Sequence, residues 1–201
     1  MKKFVPWLGV FETLRVERGE AQFVEEHWLS IQRSAQALGL KIKTNFRKLR
    51  GPSGTGRWRW IVTAEKSWAF FQPQSVRGPK RYTVSISPLR VGSQNWDARH
   101  KTLSYLTHWQ AREQARTDEV ILLNEHGEVA SGAMSNVFWV RAGKIYTPSL
   151  ECGCRAGVMR AQVMRLYAVE EVRASVQALR QAEQIFVSNS WIGLKRARLR
   201  E

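Results

Sequence analysis

The sequence predicts a globular chain of mixed helix and strand arranged in two lobes. Three observations carry this reading. Apolar residues recur at helical spacing over residues 24–38; short alternating apolar segments separated by Gly, Pro and Ser turns follow; and residues 88–99 show little periodicity and contain Gly92, Ser93 and Asn95, the composition of a link. At 201 residues and 43% apolar composition the chain is long enough for one compact unit or two small domains sharing an interface, and too apolar to be disordered. The expected division is an amino-terminal lobe at 1–88, a linker at 89–99 and a carboxy-terminal lobe at 100–201.

Residues 10–16 read as a strand, with Arg18, Gly19 and Glu20 turning the chain. Val24, Trp28, Ile31, Ala35 and Leu38 then step by four, three, four and three residues, which lines up one face of a helix that Gly39 is placed to end. Strands are expected at 58–63, 67–72 and 82–87, with loops at 51–56 and 74–80. Beyond the link, Leu103, Leu106, Trp109 and Gln110 lie near one helical face. Strands follow at 119–124, 136–140 and 144–147, separated by turns at His126-Gly127 and Ala142-Gly143. A helix opens after Gly157 with Met159, Val163 and Leu166 on one side. A strand at 184–188 comes after a further helical stretch, and no internal repeat is visible.

The formal charge of +15 raises the question of a polyanionic partner. Basic residues gather in 41–59, where Trp58 and Trp60 interleave with Arg57 and Arg59, and again in 195–200. Such a pattern suits a solvated basic face, a funnel for an anionic substrate, or a grip on single-stranded nucleic acid through phosphate contacts and base stacking. No apolar run approaches the roughly 20 residues that cross a bilayer, and the start lacks the pattern of a signal peptide, so a cytoplasmic location without membrane contact is expected. Cys152 and Cys154 are too close for an easy disulfide and too few for a structural zinc site, so no metal is expected; they read as small, semi-buried residues in a turn.

Three separated blocks carry chemistry. The first is Gly9-Val10-Phe11-Glu12-Thr13, with Glu26-His27 on the first helix and Ala37-Leu38-Gly39-Leu40 at its end. The second is Lys101-Thr102-Leu103-Ser104-Tyr105, leading to Asp118-Glu119-Val120-Ile121-Leu122-Leu123-Asn124. The third joins Ser135-Asn136-Val137-Phe138-Trp139-Val140, Tyr146-Thr147-Pro148 and the run from Cys152 through Gly157-Val158-Met159-Arg160. A lysine amine can condense with an aldehyde cofactor and later act as a nearby base. A helix opened by Gly157 leaves the amides of Val158 and Met159 without partners, and with the helix dipole these form a site for a phosphate.

In order and spacing these blocks resemble the fold-type IV pyridoxal-phosphate enzymes, the class IV aminotransferases, and most of all their 4-amino-4-deoxychorismate lyase branch. The resemblance implies an α+β protein of the D-amino-acid/branched-chain aminotransferase type, with an amino-terminal α/β layer and a carboxy-terminal half-barrel. It implies pyridoxal 5'-phosphate on Lys101, phosphate donors at Val158, Met159 and the Ser188-Asn189-Ser190 turn, Ser190 among them, a small-molecule substrate and a homodimer. Two positions depart from the pattern. Ser131 stands where the family carries a glutamate against the pyridine nitrogen, and a hydroxyl can only donate a hydrogen bond to a neutral ring. Ser30 stands where an arginine usually meets the phosphate; Arg33, one turn on, is either its substitute or an exposed helix charge. The approach to the first block is also reduced to residues 1–8.

A serine at 131 weakens the electron sink that transamination needs. It matters less to an elimination driven by aromatisation. The expectation is therefore a lyase that forms 4-aminobenzoate and pyruvate for folate synthesis. The alternatives are a class IV aminotransferase for branched-chain or D-amino acids, and a non-catalytic relative with weak or no cofactor binding that binds nucleic acid.

Overall fold

The computed structural model describes residues 8–75 and 78–200, which divide into two compact units. The smaller holds residues 1–77 together with 100–105; the larger holds 78–99 and 106–201. The shortened approach noted at residues 1–8 lies, apart from Leu8, outside the described residues.

In the smaller unit, β1 (Gly9–Glu17), β2 (Glu20–Ala21), β3 (Gly56–Thr63) and β4 (Ser67–Pro73) form an antiparallel sheet in the order β2-β1-β3-β4. Strand alternation splits its side chains cleanly. Val10, Leu14, Val16, Trp58, Trp60 and Val62 are buried in one cluster with Trp28, Ile31 and Ala35 of helix α1 (Val24–Ala37). The stepping apolar residues of α1 thus form its inner face as the sequence predicts, and Gly39 follows the helix at a φ of 66°. Glu25 and Glu26 in the first turn suit the helix dipole. Phe46 stacks on Trp60 with ring centroids 5.1 Å apart, and Trp58 meets Trp60 edge-on at 5.3 Å. At Gly56 a Cβ would come within 2.3 Å of the Gln72 carbonyl, so the β3–β4 pair closes only on glycine there.

The larger unit is built on one eight-stranded sheet. Its strands are β5 (Tyr82–Val91), β6 (Glu119–Asn124), β7 (Val129–Gly132), β8 (Asn136–Arg141), β9 (Lys144–Pro148), β10 (Val169–Val172), β11 (Gln184–Asn189) and β12 (Gly193–Leu199), in the order β10-β9-β8-β11-β12-β5-β6-β7. Helices α2 (Trp96–Arg99), α3 (Leu106–Gln114), α4 (Val158–Leu166) and α5 (Val176–Arg180) complete it. Every residue of β6 is buried, which is why its sequence runs apolar through Val120, Ile121, Leu122 and Leu123 instead of alternating. Ile121 and Leu123 join one core cluster with Val84, Val137, Trp139, Ile185 and Val187. Val120 and Leu122 join a second with Val91, Ala98, Ala111 and Ala130.

The α+β class and the two-part organisation agree with the sequence. Four details differ. The division does not fall at 89–99: β5 continues through Val91 in parallel pairing with β6, and Pro88 sits in a register shift between Ile86 and Arg90, where a missing N–H is tolerated. Residues 100–105, expected in the second lobe, belong to the smaller unit because their backbone bonds to β1. Leu103 is outside any helix, and on α3 Leu106 and Trp109 are exposed while His108 and Ala111 are buried. On α4 the buried face is Val158, Arg160, Gln162 and Val163, and Leu166 is exposed. Both cysteines are buried, Cys152 in a 3-10 turn, and burial pushes its thiol up to about 11. Among the described residues no helix is long and apolar enough to cross a membrane, and no group of His, Cys, Asp and Glu is arranged to hold a metal ion.

Trp60 is fully buried, yet its indole N–H meets no acceptor. Trp60→Ala should cost about 3–5 kcal/mol in a chemical denaturation experiment. Trp60→Phe should cost far less, because it removes an unsatisfied donor while keeping most of the ring packing. Equal losses for the two variants would contradict the packing described.

Candidate functional site

Lys101 is held beside the edge of β1 by a short antiparallel bridge, with Phe11 N–H donating to the Lys101 carbonyl at 2.8 Å and Leu103 N–H to the Gly9 carbonyl at 2.8 Å. Its ammonium lies 4.9 Å from the centroid of the Phe11 ring, which Tyr105 meets edge-on at 5.9 Å. The lysine is half-buried. On the opposite face of β1, Glu12 is buried against α1 and accepts from His27 Nδ1 at 2.8 Å and from Ser30 Oγ at 2.7 Å. Burial pushes its carboxyl up, but the hydrogen bond and charge of His27, the charge of Lys101 and the Ser30 hydroxyl together outweigh it and hold the group at about 2. Ser30 is therefore engaged by Glu12. Arg33 stands exposed on α1.

The face of the small sheet that carries Phe11 also carries arginine. Across the β1–β3 pair the register sets Phe11 opposite Ile61, Thr13 opposite Arg59 and Arg15 opposite Arg57. Like charges directly opposite repel, and Glu17 offsets Arg15 by an ion pair. The Arg59 Nε–H is buried and meets no acceptor among the described residues. Sequence reasoning passed over Arg59 as a site residue: its alternation with Trp58 and Trp60 suggested stacking platforms for bases. Both tryptophans are in the core and unavailable for stacking. Period-two alternation, read strictly, would have put the arginines together on the other face.

In the larger unit Ser131 is buried on β7, opposite Leu122 of β6. The loop after it is fixed by Glu119, which accepts from Val120 N–H, Met134 N–H and Ser135 Oγ. Burial pushes the Glu119 carboxyl up against those bonds. Asn136 donates to the Arg155 carbonyl at 2.8 Å, and its Oδ1 lies where a Cβ on residue 157 would come within 2.2 Å, so Gly157 is required for α4 to begin there. No side chain caps α4, and its geometry leaves the amides of Val158 and Met159 without intrahelical acceptors. Ser188, opposite Asn136 in the β8–β11 register, is completely buried, and its hydroxyl has no partner. The turn that follows is ordered by Asn189, which accepts from Trp191 and Ile192 N–H and donates to the Met134 carbonyl, leaving Ser190 half-buried in the turn. A free helix N-terminus with an orphaned buried hydroxyl nearby fits a phosphate.

A model of the family described as amino-transferase class IV matches residues 9–199. The chain belongs to that family. Among the curated relatives of this class IV chain, the aminodeoxychorismate lyase of Bacillus subtilis is 26% identical over 93% of this chain and 75% of its own length. The aminodeoxychorismate lyase of Vibrio harveyi is 28% identical over 92% of this chain and 80% of its own. Among solved structures, a branched-chain aminotransferase from Thermoproteus uzoniensis superposes with a TM-score of 0.85 at 21% identity, over 96% of this chain and 78% of that one. The class IV fold is thus shared with an aminotransferase as well as expected of the lyases, and it does not separate the two activities.

The Glu12 charge has a measurable signature. A carboxyl held at about 2 in the folded chain, against its usual 4.5, contributes stability that is fully present above pH 4.5 and lost as pH falls toward 2. From pH 5 to pH 2 the wild type should lose about 3 kcal/mol more than Glu12→Gln. Parallel stability curves for the two proteins would show that Glu12 is not an ionised, hydrogen-bonded group in the fold.

Proposed function

We propose that this class IV chain is a pyridoxal-phosphate-dependent lyase that converts 4-amino-4-deoxychorismate to 4-aminobenzoate and pyruvate. The observation that carries the reading is the match, over more than nine-tenths of the chain, to two aminodeoxychorismate lyases. The serine at 131 favours it over transamination, since a hydroxyl leaves the cofactor ring neutral. By the same reading the protein is a cytoplasmic homodimer that feeds folate synthesis.

Each residue then has a task. The Val158 and Met159 amides, with Ser190 and the orphaned Ser188 hydroxyl, would hold the cofactor phosphate at the start of α4. Ser131 would donate to the ring nitrogen. When bound, the cofactor supplies an aldehyde for amine exchange and a ring that withdraws electrons from the bond being broken. Lys101 would hold the cofactor through its amine and would move the proton that lets pyruvate leave. Glu12, held ionised in part by the charge of Lys101, sets a negative charge on the other face of β1 from that lysine. Arg59, on the Lys101 side of the sheet with a buried donor to spare, would bind a substrate carboxylate. With the Ser30 hydroxyl taken by Glu12, the phosphate would rest on the α4 amides and the serines.

The test is pyruvate release from 4-amino-4-deoxychorismate by the purified chain with added pyridoxal phosphate, without a keto acid. Wild type should release pyruvate stoichiometrically with 4-aminobenzoate. Lys101→Ala should lose at least about a hundredfold in rate, and Arg59→Ala should mainly raise KM. Amino transfer to a keto acid, with no pyruvate formed, would instead make the chain an aminotransferase.

A further inference from the structure

At the other end of β11 from Ser188, the larger unit carries a surface cleft of about 320 Å³ that no step above uses. Its floor includes Leu179, Ile185 and Ala197, all buried in the core, and three exposed arginines line it: Arg81, Arg180 and Arg198. The fold brings them together from distant stretches of sequence. Arg180 closes the last turn of α5, Arg198 projects from β12, and the parallel pairing of Ala197 with Tyr82 sets Arg81 beside them. The one acid in the lining, Glu183, is already engaged, accepting from the Ala142 N–H at 2.6 Å. Among the described residues none of the three guanidiniums takes part in an ion pair or hydrogen bond.

We infer that this cleft is a binding site for a small multivalent oxyanion of the diphosphate class, built from none of the residues given a task above. Three like charges around one concavity repel until an anion lies among them. Planar guanidinium forks match phosphate oxygens two at a time, and that match is short and directional. The size agrees with a small ligand, since such sites begin at about 300 Å³. A single-stranded nucleic acid fits less well, because the lining holds no Phe, Tyr or Trp on which bases would stack.

The experiment is calorimetric titration of the full chain with sodium pyrophosphate at low ionic strength. It needs neither cofactor nor turnover, so it stands or fails independently of the lyase reading. Wild type should show a saturable site beyond any anion held at the start of α4. Arg180→Glu and Arg198→Glu, both at exposed positions, should each weaken it at least about tenfold, the loss of a charge-assisted contact. Lys48→Glu makes the same charge change on the smaller unit and should leave the site intact, as should Ser188→Ala near the start of α4. A comparable loss in Lys48→Glu would reduce the effect to bulk charge and overturn the site. Loss in Ser188→Ala alone would move the anion to α4. An oligonucleotide that displaces pyrophosphate and binds more tightly would make the cleft part of a nucleic-acid surface.

Discussion

Two backbone hydrogen bonds, Phe11 to Lys101 and Leu103 to Gly9, tie residues 100–105 to the edge of β1, and the placement of Lys101 depends on them. The chain leaves the larger unit after Arg99, runs beside β1, and re-enters the larger unit at Leu106. A lysine on a free loop would spread its amine over many rotamers, with about 2 kcal/mol of side-chain entropy to lose on each productive encounter. Bonded to β1 on one side and laid over the Phe11 ring on the other, Lys101 has a fixed root and a restricted reach. Gly9 is part of the same constraint, since a Cβ there would strike the Leu103 side chain and the Val62 carbonyl.

Around that root the small sheet separates charge by face. One face buries a carboxylate, Glu12, with His27 and Ser30; the other carries the arginines and the lysine ammonium. A buried carboxylate is costly unless hydrogen-bonded and paired, and Glu12 is both. Its charge and that of Lys101 attract, and this helps to hold the carboxyl ionised. The Ser30 hydroxyl completes the shell of hydrogen bonds around Glu12 and stabilises its ionised form.

What the sequence disclosed follows from where periodicity is strong. Helix α1 and strands β1, β3 and β6 have unmixed apolar patterns and were legible. Strand β12 was not, because it lies mostly at the surface and reads as a basic tail, Lys195 through Arg200. Strand β7 is only Val-Ala-Ser-Gly and owes its conformation to pairing with β6. Proline at 88 suggested an end to β5 that the register shift accommodates. On α3, Leu106 and Trp109 looked like an inner face and point to solvent, so spacing alone misassigned the side that packs. The chemistry was legible through motifs and hardly through pattern. Nothing in periodicity distinguishes Lys101 from the other lysines, while Arg59 needed the sheet register to appear on the lysine's face.

The measurement closest to the central claim is to add pyridoxal phosphate to the purified chain, treat it with borohydride, and locate the fixed label by mass spectrometry of peptides. If Lys101 is the cofactor lysine, an absorbance band near the visible edge forms on mixing, borohydride abolishes it, and the label is found on residue 101 at close to one per chain. Lys101→Ala then shows neither band nor label. Label spread over exposed lysines, or the same band in Lys101→Ala, would contradict the assignment and remove the chemical role given to the β1-bound segment.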